Sequence, residues 1–339
     1  MPRLRRSVLT EPGLTRRRRG RGFSYADVDG APVRDTETLD RISQLVIPPA
    51  WKDVWISPWP HGHIQAVGTD AAGRRQYRYH DAWRVRRDRE KHKRVLELAH
   101  RLPAVRETVT EHLAGRGLTR ERVLACAVRL LDLGFFRVGG EEYAEENGTY
   151  GLATLRRDHV RLVRGAITFE YEAKGSQHRV HAVVDDDVRK VIQALLRRRD
   201  PGEELLAHRA GREWRDVRSD DINAYLREVA GEDMTAKDFR TWHATVLCTV
   251  ALARARATSS ASGRKRTVAG AVRDVAAALG NTPAVCRKSY IDPRIIDLYD
   301  DGSLAAVSLT TPADMSLEQL AARPDVEQAV IELLAPQDS

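Results

Sequence analysis

Residues 159–184 read HVRLVRGAITFEYEAKGSQHRVHAVV. Their period is two. Ile167, Phe169 and Tyr171 fall on one side of an extended chain, and turns sit at Arg164-Gly165 and Lys174-Gly175. Alternation bounded by glycine turns predicts a three-stranded antiparallel sheet. On both sides the period changes to that of helices. Upstream, Thr119 can cap a helix that carries Val123, Leu124, Ala127, Leu130 and Leu131 on one side. Downstream, helical patterns run over residues 186–198, 219–229 and 236–257. Residues 258–266 are small, polar and basic, and read as a mobile linker. Thr267 then caps a helix with Val268, Val272, Val275 and Leu279 on one face, ended by Gly280. Thr282-Pro283 restarts a short helix that reaches about Tyr290.

The first 95 residues are of another kind. Trp51, Trp55, Trp59 and Trp83, four of the six tryptophans, lie there. Short β-like pieces at Phe23-Ser24-Tyr25, Val54-Trp55-Ile56 and His63-Ile64-Gln65-Ala66-Val67 are separated by proline and glycine turns. The expected class is α+β: a small N-terminal, mainly antiparallel-sheet domain, then a larger, mainly helical domain holding the three-stranded sheet. The expected divisions are a basic flexible arm over 1–21, an N-terminal α+β domain over 22–95, a catalytic domain over 96–300 and an acidic segment over 301–339. A length of 339 residues accommodates two cores.

No apolar run approaches the 18 residues of a membrane span, and no apolar segment follows the basic start. Three scattered cysteines, Cys126, Cys248 and Cys286, offer neither a disulfide framework nor paired zinc spacing. A reducing, cytoplasmic setting is expected, with no metal and no membrane partner. Net charge is +8, which favours an anionic partner, most simply nucleic acid. The charge is blocked. Residues 1–21 and 74–94 each carry +7, and 300–339 carry −7. The first block includes Arg16-Arg17-Arg18-Arg19 without apolar periodicity. The second interleaves aromatics, as in Arg74-Arg75-Gln76-Tyr77-Arg78-Tyr79-His80. Its cations can neutralise phosphates while Gln and Tyr reach base edges or sugars. A plain amphipathic strand would alternate in the same way.

Five positions in the helical half stand out by context. They are Arg137 in Leu133-Gly134-Phe135-Phe136-Arg137-Val138-Gly139, Lys174 at the hairpin tip, Arg240 in Lys237-Asp238-Phe239-Arg240-Thr241-Trp242, Asn281 in Gly280-Asn281-Thr282-Pro283, and Tyr290 in Cys286-Arg287-Lys288-Ser289-Tyr290. Singly, these residue types are usually an ion pair, a turn, a cap and a packing aromatic. In this order and context they resemble the catalytic domain of type IB DNA topoisomerases, especially the short poxviral and bacterial forms. Ile47-Pro48-Pro49-Ala50-Trp51 and Gly73-Arg74-Arg75-Gln76-Tyr77-Arg78-Tyr79-His80 resemble the N-terminal domain of the bacterial branch. The resemblance covers about residues 20–300.

The resemblance implies a fold shared with tyrosine recombinases and a reaction without metal, cofactor or ATP. Tyr290 would attack a DNA phosphate to give a 3′-phosphotyrosine. Arg137 and Arg240 would hold the scissile phosphate, Lys174 would be the general acid, and Asn281 would bond a non-bridging oxygen. Poxviral and eukaryotic members have histidine at that last position; an amide donates a hydrogen bond but carries no charge. Arg74, Gln76, Tyr77, Tyr79, Arg87, Tyr143 and Lys237 match DNA contacts of the family. The chemistry is self-consistent. A phosphodiester is anionic with a poor leaving group, so arginines supply permanent charge, a lysine supplies a proton, and tyrosine, of pKa about 10, needs cationic surroundings to attack. His243, three residues after Arg240, has no counterpart role and reads as a buried or capping histidine. A monomeric, nucleoid-associated enzyme on duplex DNA is expected. A tyrosine recombinase shares the chemistry but has a helical N-terminal domain and usually His-x-x-Arg where Lys237-Asp238-Phe239-Arg240 stands. A non-enzymatic DNA-binding protein would explain the basic blocks but not the five ordered residues.

Overall fold

The computed structural model describes residues 3–134, 136–140, 148–231, 233–255, 260–306 and 315–335. The architecture is α+β, and the chain divides into two compact units, Met1–Lys91 and His92–Ser339.

The first unit is built on a five-stranded antiparallel sheet in the order β2-β1-β3-β4-β5. Its elements are β1 (Leu14–Arg19), β2 (Gly22–Ala26), α1 (Thr36–Gln44), β3 (Lys52–Ile56), β4 (Ile64–Thr69) and β5 (Arg75–Tyr79). Leu14, Ile42, Val54, Ile56 and Ala66 form its core. The basic run is therefore not a flexible arm. Arg16 to Arg19 pair in register with Tyr25 to Gly22. Arg17, Arg18 and Arg19 are exposed, so the run's charge reports solvation rather than disorder. Arg16 is half-buried and structural. Its guanidinium donates to the carbonyls of Ile47 (3.2 Å), Pro48 (3.1 Å) and Trp51 (2.7 Å) and lies 4.1 Å from the Phe23 ring centre. One strand arginine thus grips the Ile47–Trp51 loop.

The second unit is mainly helical. The long helix α2 (Asp81–Leu113) runs into it across the unit boundary and is followed by α3 (Arg120–Gly134). The Thr119 hydroxyl accepts from the Arg122 N–H at α3's start. Next come β6 (Val160–Val163), β7 (Ala166–Ala173) and β8 (Gln177–Val183), an antiparallel sheet with β7 central. Ile167, Phe169 and Tyr171 are buried on its inner face as the period of two demands. The remaining elements are α4 (Asp186–Leu196), the hairpin β9 (Ala207–Ala210) and β10 (Glu213–Asp216), α5 (Ser219–Ala230), α6 (Ala236–Arg254), α7 (Ala261–Leu279), α8 (Pro283–Ser289), α9 (Pro293–Asp300), α10 (Leu317–Ala321) and α11 (Pro324–Leu334).

Two sequence expectations fail here. Residues 260–266 are not a linker, and Thr267 is not a cap. The Ser260 hydroxyl accepts the Gly263 N–H (3.0 Å), so α7 starts seven residues earlier than the first apolar position. Small residues in its first turn hid the start, because period is invisible until Val268. Residues 258 and 259 lie outside the described residues. The acidic C-terminal segment also packs. Leu320, Val326, Val330 and Leu334 join the core of the second unit.

A charged network ties α11 to that core. Arg106 donates to Asp132 (2.7 Å) and to Glu327, while Trp242 Nε1 donates to Glu327 (2.9 Å). His243 Nε2 lies 3.4 Å from Asp132, so His243 is a buried structural residue. Burial alone would raise the Asp132 carboxyl. Hydrogen bonds from His243 and Arg106 outweigh it and hold the group far below the carboxylate range.

Candidate active site

Tyr290 and Asn281 occupy two chain reversals around α8. Gly280 ends α7 at φ +63, a left-handed conformation that glycine adopts readily. The Asn281 N–H returns to the Ala276 carbonyl (2.9 Å). Thr282 then caps α8 by accepting the Val285 N–H (3.3 Å), with Pro283 at its first position. Tyr290 closes α8, its N–H on the Cys286 carbonyl (3.0 Å). Beyond it, the Thr245 hydroxyl accepts the Asp292 N–H (3.2 Å) and lies 3.5 Å from the Tyr290 carbonyl.

Arg240 comes from the buried helix α6 and is only 3 % exposed. Its Nη2 donates to the Leu279 carbonyl (2.7 Å), and its guanidinium carbon lies 5.5 Å from the Tyr290 ring centre. Burial, then the neighbouring Arg137 charge, push Arg240 down to about 10, opposed by a hydrogen bond with Tyr290. The guanidinium therefore stays charged at neutral pH.

Arg137 follows α3 on a segment that crosses another chain segment. Leu152 N–H donates to the Arg137 carbonyl (2.8 Å) and Ala153 N–H to the Val138 carbonyl (2.7 Å). The crossing needs Gly139 and Gly151: a Cβ on Gly151 would sit 2.4 Å from the Gly139 Cα. Arg137 Nη2 donates to both the Gly280 carbonyl and Asn281 Oδ1, each at 2.6 Å. A guanidinium only donates, so the amide oxygen of Asn281 must face it. Its Nδ2 is left buried without an acceptor among the described residues. Burial also lowers the Arg137 pKa.

Lys174 sits on the exposed β7–β8 turn, followed by Gly175 and Ser176 at φ +80 and +53. Arg137, Lys174, Lys237, Arg240 and Tyr290 line one cleft of about 310 Å³. Within reach of its arginine charges are Tyr171, pushed up to about 12 by burial, and His181, pushed down to about 4 by burial and those arginines. The cleft therefore concentrates cationic donors around a tyrosine hydroxyl. Such a site is suited to an anionic group that gains charge during reaction.

Four of the five sequence candidates line this cleft directly, and Asn281 is bonded to Arg137 behind it. Lys237 joins them at the start of α6. Tyr143 lies outside the described residues. Arg74, Gln76, Tyr77, Tyr79 and Arg87 belong to the first unit. There Asp70 holds Arg74 (3.2 Å) and Gln76 (3.0 Å), while Tyr77 and Tyr79 stack at 6.0 Å on the exposed side of β5, and Arg87 pairs with Glu90 (3.4 Å). Sequence reasoning missed Tyr150, whose N–H joins the Glu172 carbonyl (2.7 Å) beside the hairpin tip and which lines the cleft. It missed Arg179 as well. Both depend on long-range pairing that leaves no local signal.

Among the described residues no helix is long and apolar enough to cross a membrane. Residues 80–302 match the profile of the eukaryotic DNA topoisomerase I catalytic core, and residues 22–70 that of the bacterial DNA topoisomerase IB N-terminal domain. The chain is 31% identical to DNA topoisomerase 1B of Acanthamoeba polyphaga mimivirus, over 85% of this chain and 88% of that one. It is 22% identical to DNA topoisomerase 1B of Vaccinia virus (strain Copenhagen), over 83% and 88%. DNA topoisomerase 1 alpha of Arabidopsis thaliana is 27% identical over 47% of this chain and 16% of its own length.

Proposed function

Because the chain belongs to the type IB DNA topoisomerases, we propose that it relaxes supercoiled duplex DNA through a transient bond between Tyr290 and a 3′ phosphate. The observation that carries this reading is the single cleft lined by Arg137, Lys174, Arg240 and Tyr290.

In this reading the phosphate enters the cleft and replaces solvent around the guanidinium groups. Arg137 and Arg240 bind its non-bridging oxygens, and the spare donor on Asn281 takes a third bond. The Tyr290 oxygen forms a bond to phosphorus while the bond to the 5′ oxygen breaks. Lys174 gives the leaving oxygen its proton. The phenolic proton goes to solvent and Lys174 is reprotonated from it, so no co-reactant enters the balance. The phosphotyrosine conserves the energy of the broken ester, and resealing reverses each step without ATP. Swivelling of the free 5′ end between the two steps releases supercoils. Permanently charged arginines suit this role because charge stabilisation in a dry cleft is the largest single contribution to such catalysis.

The first unit supplies DNA contacts through Arg74, Gln76, Tyr77, Tyr79 and Arg87. The second adds Lys237 at the cleft. The enzyme acts as a monomer in the cytoplasm, on the nucleoid.

The test is relaxation of supercoiled plasmid without ATP or magnesium, with Tyr290→Phe as control. Wild-type protein should relax the plasmid and form a covalent adduct at Tyr290. The variant should bind DNA as tightly and form none. No adduct with wild-type protein would refute the reading.

A further inference from the structure

An α-helix leaves its last four carbonyls without intrahelical partners, and they form the negative end of its dipole. At α7 arginines from three other segments take these groups. Arg179 Nη1 donates to the Ala277 carbonyl (3.2 Å) and Nη2 to the Ala278 carbonyl (2.8 Å). Arg240 takes the Leu279 carbonyl and Arg137 the Gly280 carbonyl just past the helix. Arg137 and Arg240 are the phosphate-binding pair of the reading above. Arg179 belongs to the hairpin that carries Lys174.

The placement of Arg179 is close-fitting. It lies on β8, five residues beyond Lys174, paired across the hairpin with the buried Tyr171. Its guanidinium lies against the Gly280 backbone, where an added Cβ would come within 2.9 Å of the Arg179 Cζ. The Lys174 turn itself is exposed and lies at the outer end of two strands. A charge-assisted bidentate contact to a helix end is stiff and directional, so it fixes the hairpin against the element that also fixes both arginines.

We propose that Arg179 is a positioning residue that sets the Lys174 ammonium against the scissile phosphate by mooring the β7–β8 hairpin to the end of α7. This rests on the reading of Lys174 as the general acid. Both Nη atoms of Arg179 are engaged by helix carbonyls. It acts through Lys174 and not through the charge of the phosphate site. Its loss should therefore slow the step that needs a proton and spare one that does not.

A DNA duplex with sulfur in place of the 5′ bridging oxygen separates the two. The leaving thiolate, whose thiol has a pKa of about 8.5, departs without a proton. Single-turnover formation of the Tyr290 adduct is measured on the oxygen and sulfur substrates for wild-type protein, Arg179→Met and Arg179→Lys, with DNA binding followed by fluorescence anisotropy. On the oxygen substrate Arg179→Met should be slower by about ten- to hundredfold, part of the roughly 10²–10⁴-fold a general acid contributes. On the sulfur substrate it should come within about threefold of wild type, and DNA binding should change as little. Arg179→Lys, which keeps one charged donor, should fall between and serves if the methionine variant does not fold. Equal slowing on both substrates, or none on either, would overturn the proposal. A Lys174→Ala variant slowed equally on both substrates would instead remove the general-acid reading on which the proposal stands.

Discussion

Arg137 and Asn281 are joined by a 2.6 Å hydrogen bond that fixes which way the amide faces. The guanidinium takes the oxygen, so the amide's donors are left for something else, and Nδ2 has no acceptor among the described residues. The residue braces Arg137 and still offers one donor.

Asn281→Ala should lower the adduct-forming rate by about a hundredfold, the lower end of the roughly 10²–10³-fold range for a lost donor to a developing oxyanion. Asn281→Asp should be worse. A carboxylate would still accept from Arg137, but it would repel the phosphate and offer no donor. Single-turnover cleavage with saturating enzyme measures both; an aspartate variant as active as the alanine one would contradict the assigned geometry.

Thr245 stands between the Tyr290 carbonyl and the Asp292 N–H, fully buried in α6. Thr245→Val keeps the shape and removes the acceptor for a buried N–H. The cost should be about 1–3 kcal/mol of stability, read as a lowered melting temperature. Cleavage should slow while DNA affinity holds, because the Tyr290 backbone loses its anchor. Unchanged melting and cleavage together would show that this turn is held by other contacts.

His181 titrates at about 4 in the folded chain, lowered chiefly by burial and then by the Arg179, Arg240 and Arg137 charges. An unfolded histidine titrates near 6.5. Between these values the unfolded chain binds a proton that the folded chain refuses. This contribution is whole above about pH 6.5 and is lost as pH falls toward 4, up to about 3 kcal/mol. His181→Phe, which can pack against Phe136, should melt with a shallower acid slope over that window. Parallel melting curves from pH 7 to pH 4 would show that His181 does not carry the dependence.

Arg16→Ala should destabilise the first unit, because it strands three carbonyls of the Ile47–Trp51 loop and removes the contact with Phe23. A loss of about 2 kcal/mol is expected from bonds to a charged donor. Arg17→Ala and Arg18→Ala, at exposed positions of the same strand, should stay within about 0.5 kcal/mol. Comparing the three melting curves separates structural charge from solvated charge, and equal effects would merge them again.

The reading of residues 159–184 as three strands needed only local rules, since Ile167, Phe169 and Tyr171 alternate and glycine marks both reversals. The α7 start failed because Ser260 caps a turn of small residues, and small residues carry no period. The Arg16–Arg19 run failed for a related reason. Charge along a strand reports what is solvated, while the ladder to β2 is made by backbone atoms that the side chains do not disclose. The sequence by itself determined the fold class, the residue types able to handle a phosphate and their order along the chain. Only the tertiary structure decided that Arg137, Arg179 and Arg240 converge on the end of α7, and that Asn281 turns its oxygen inward. Unpaired helix carbonyls are obligatory acceptors, and which donors reach them depends on packing between segments 39 to 143 residues apart.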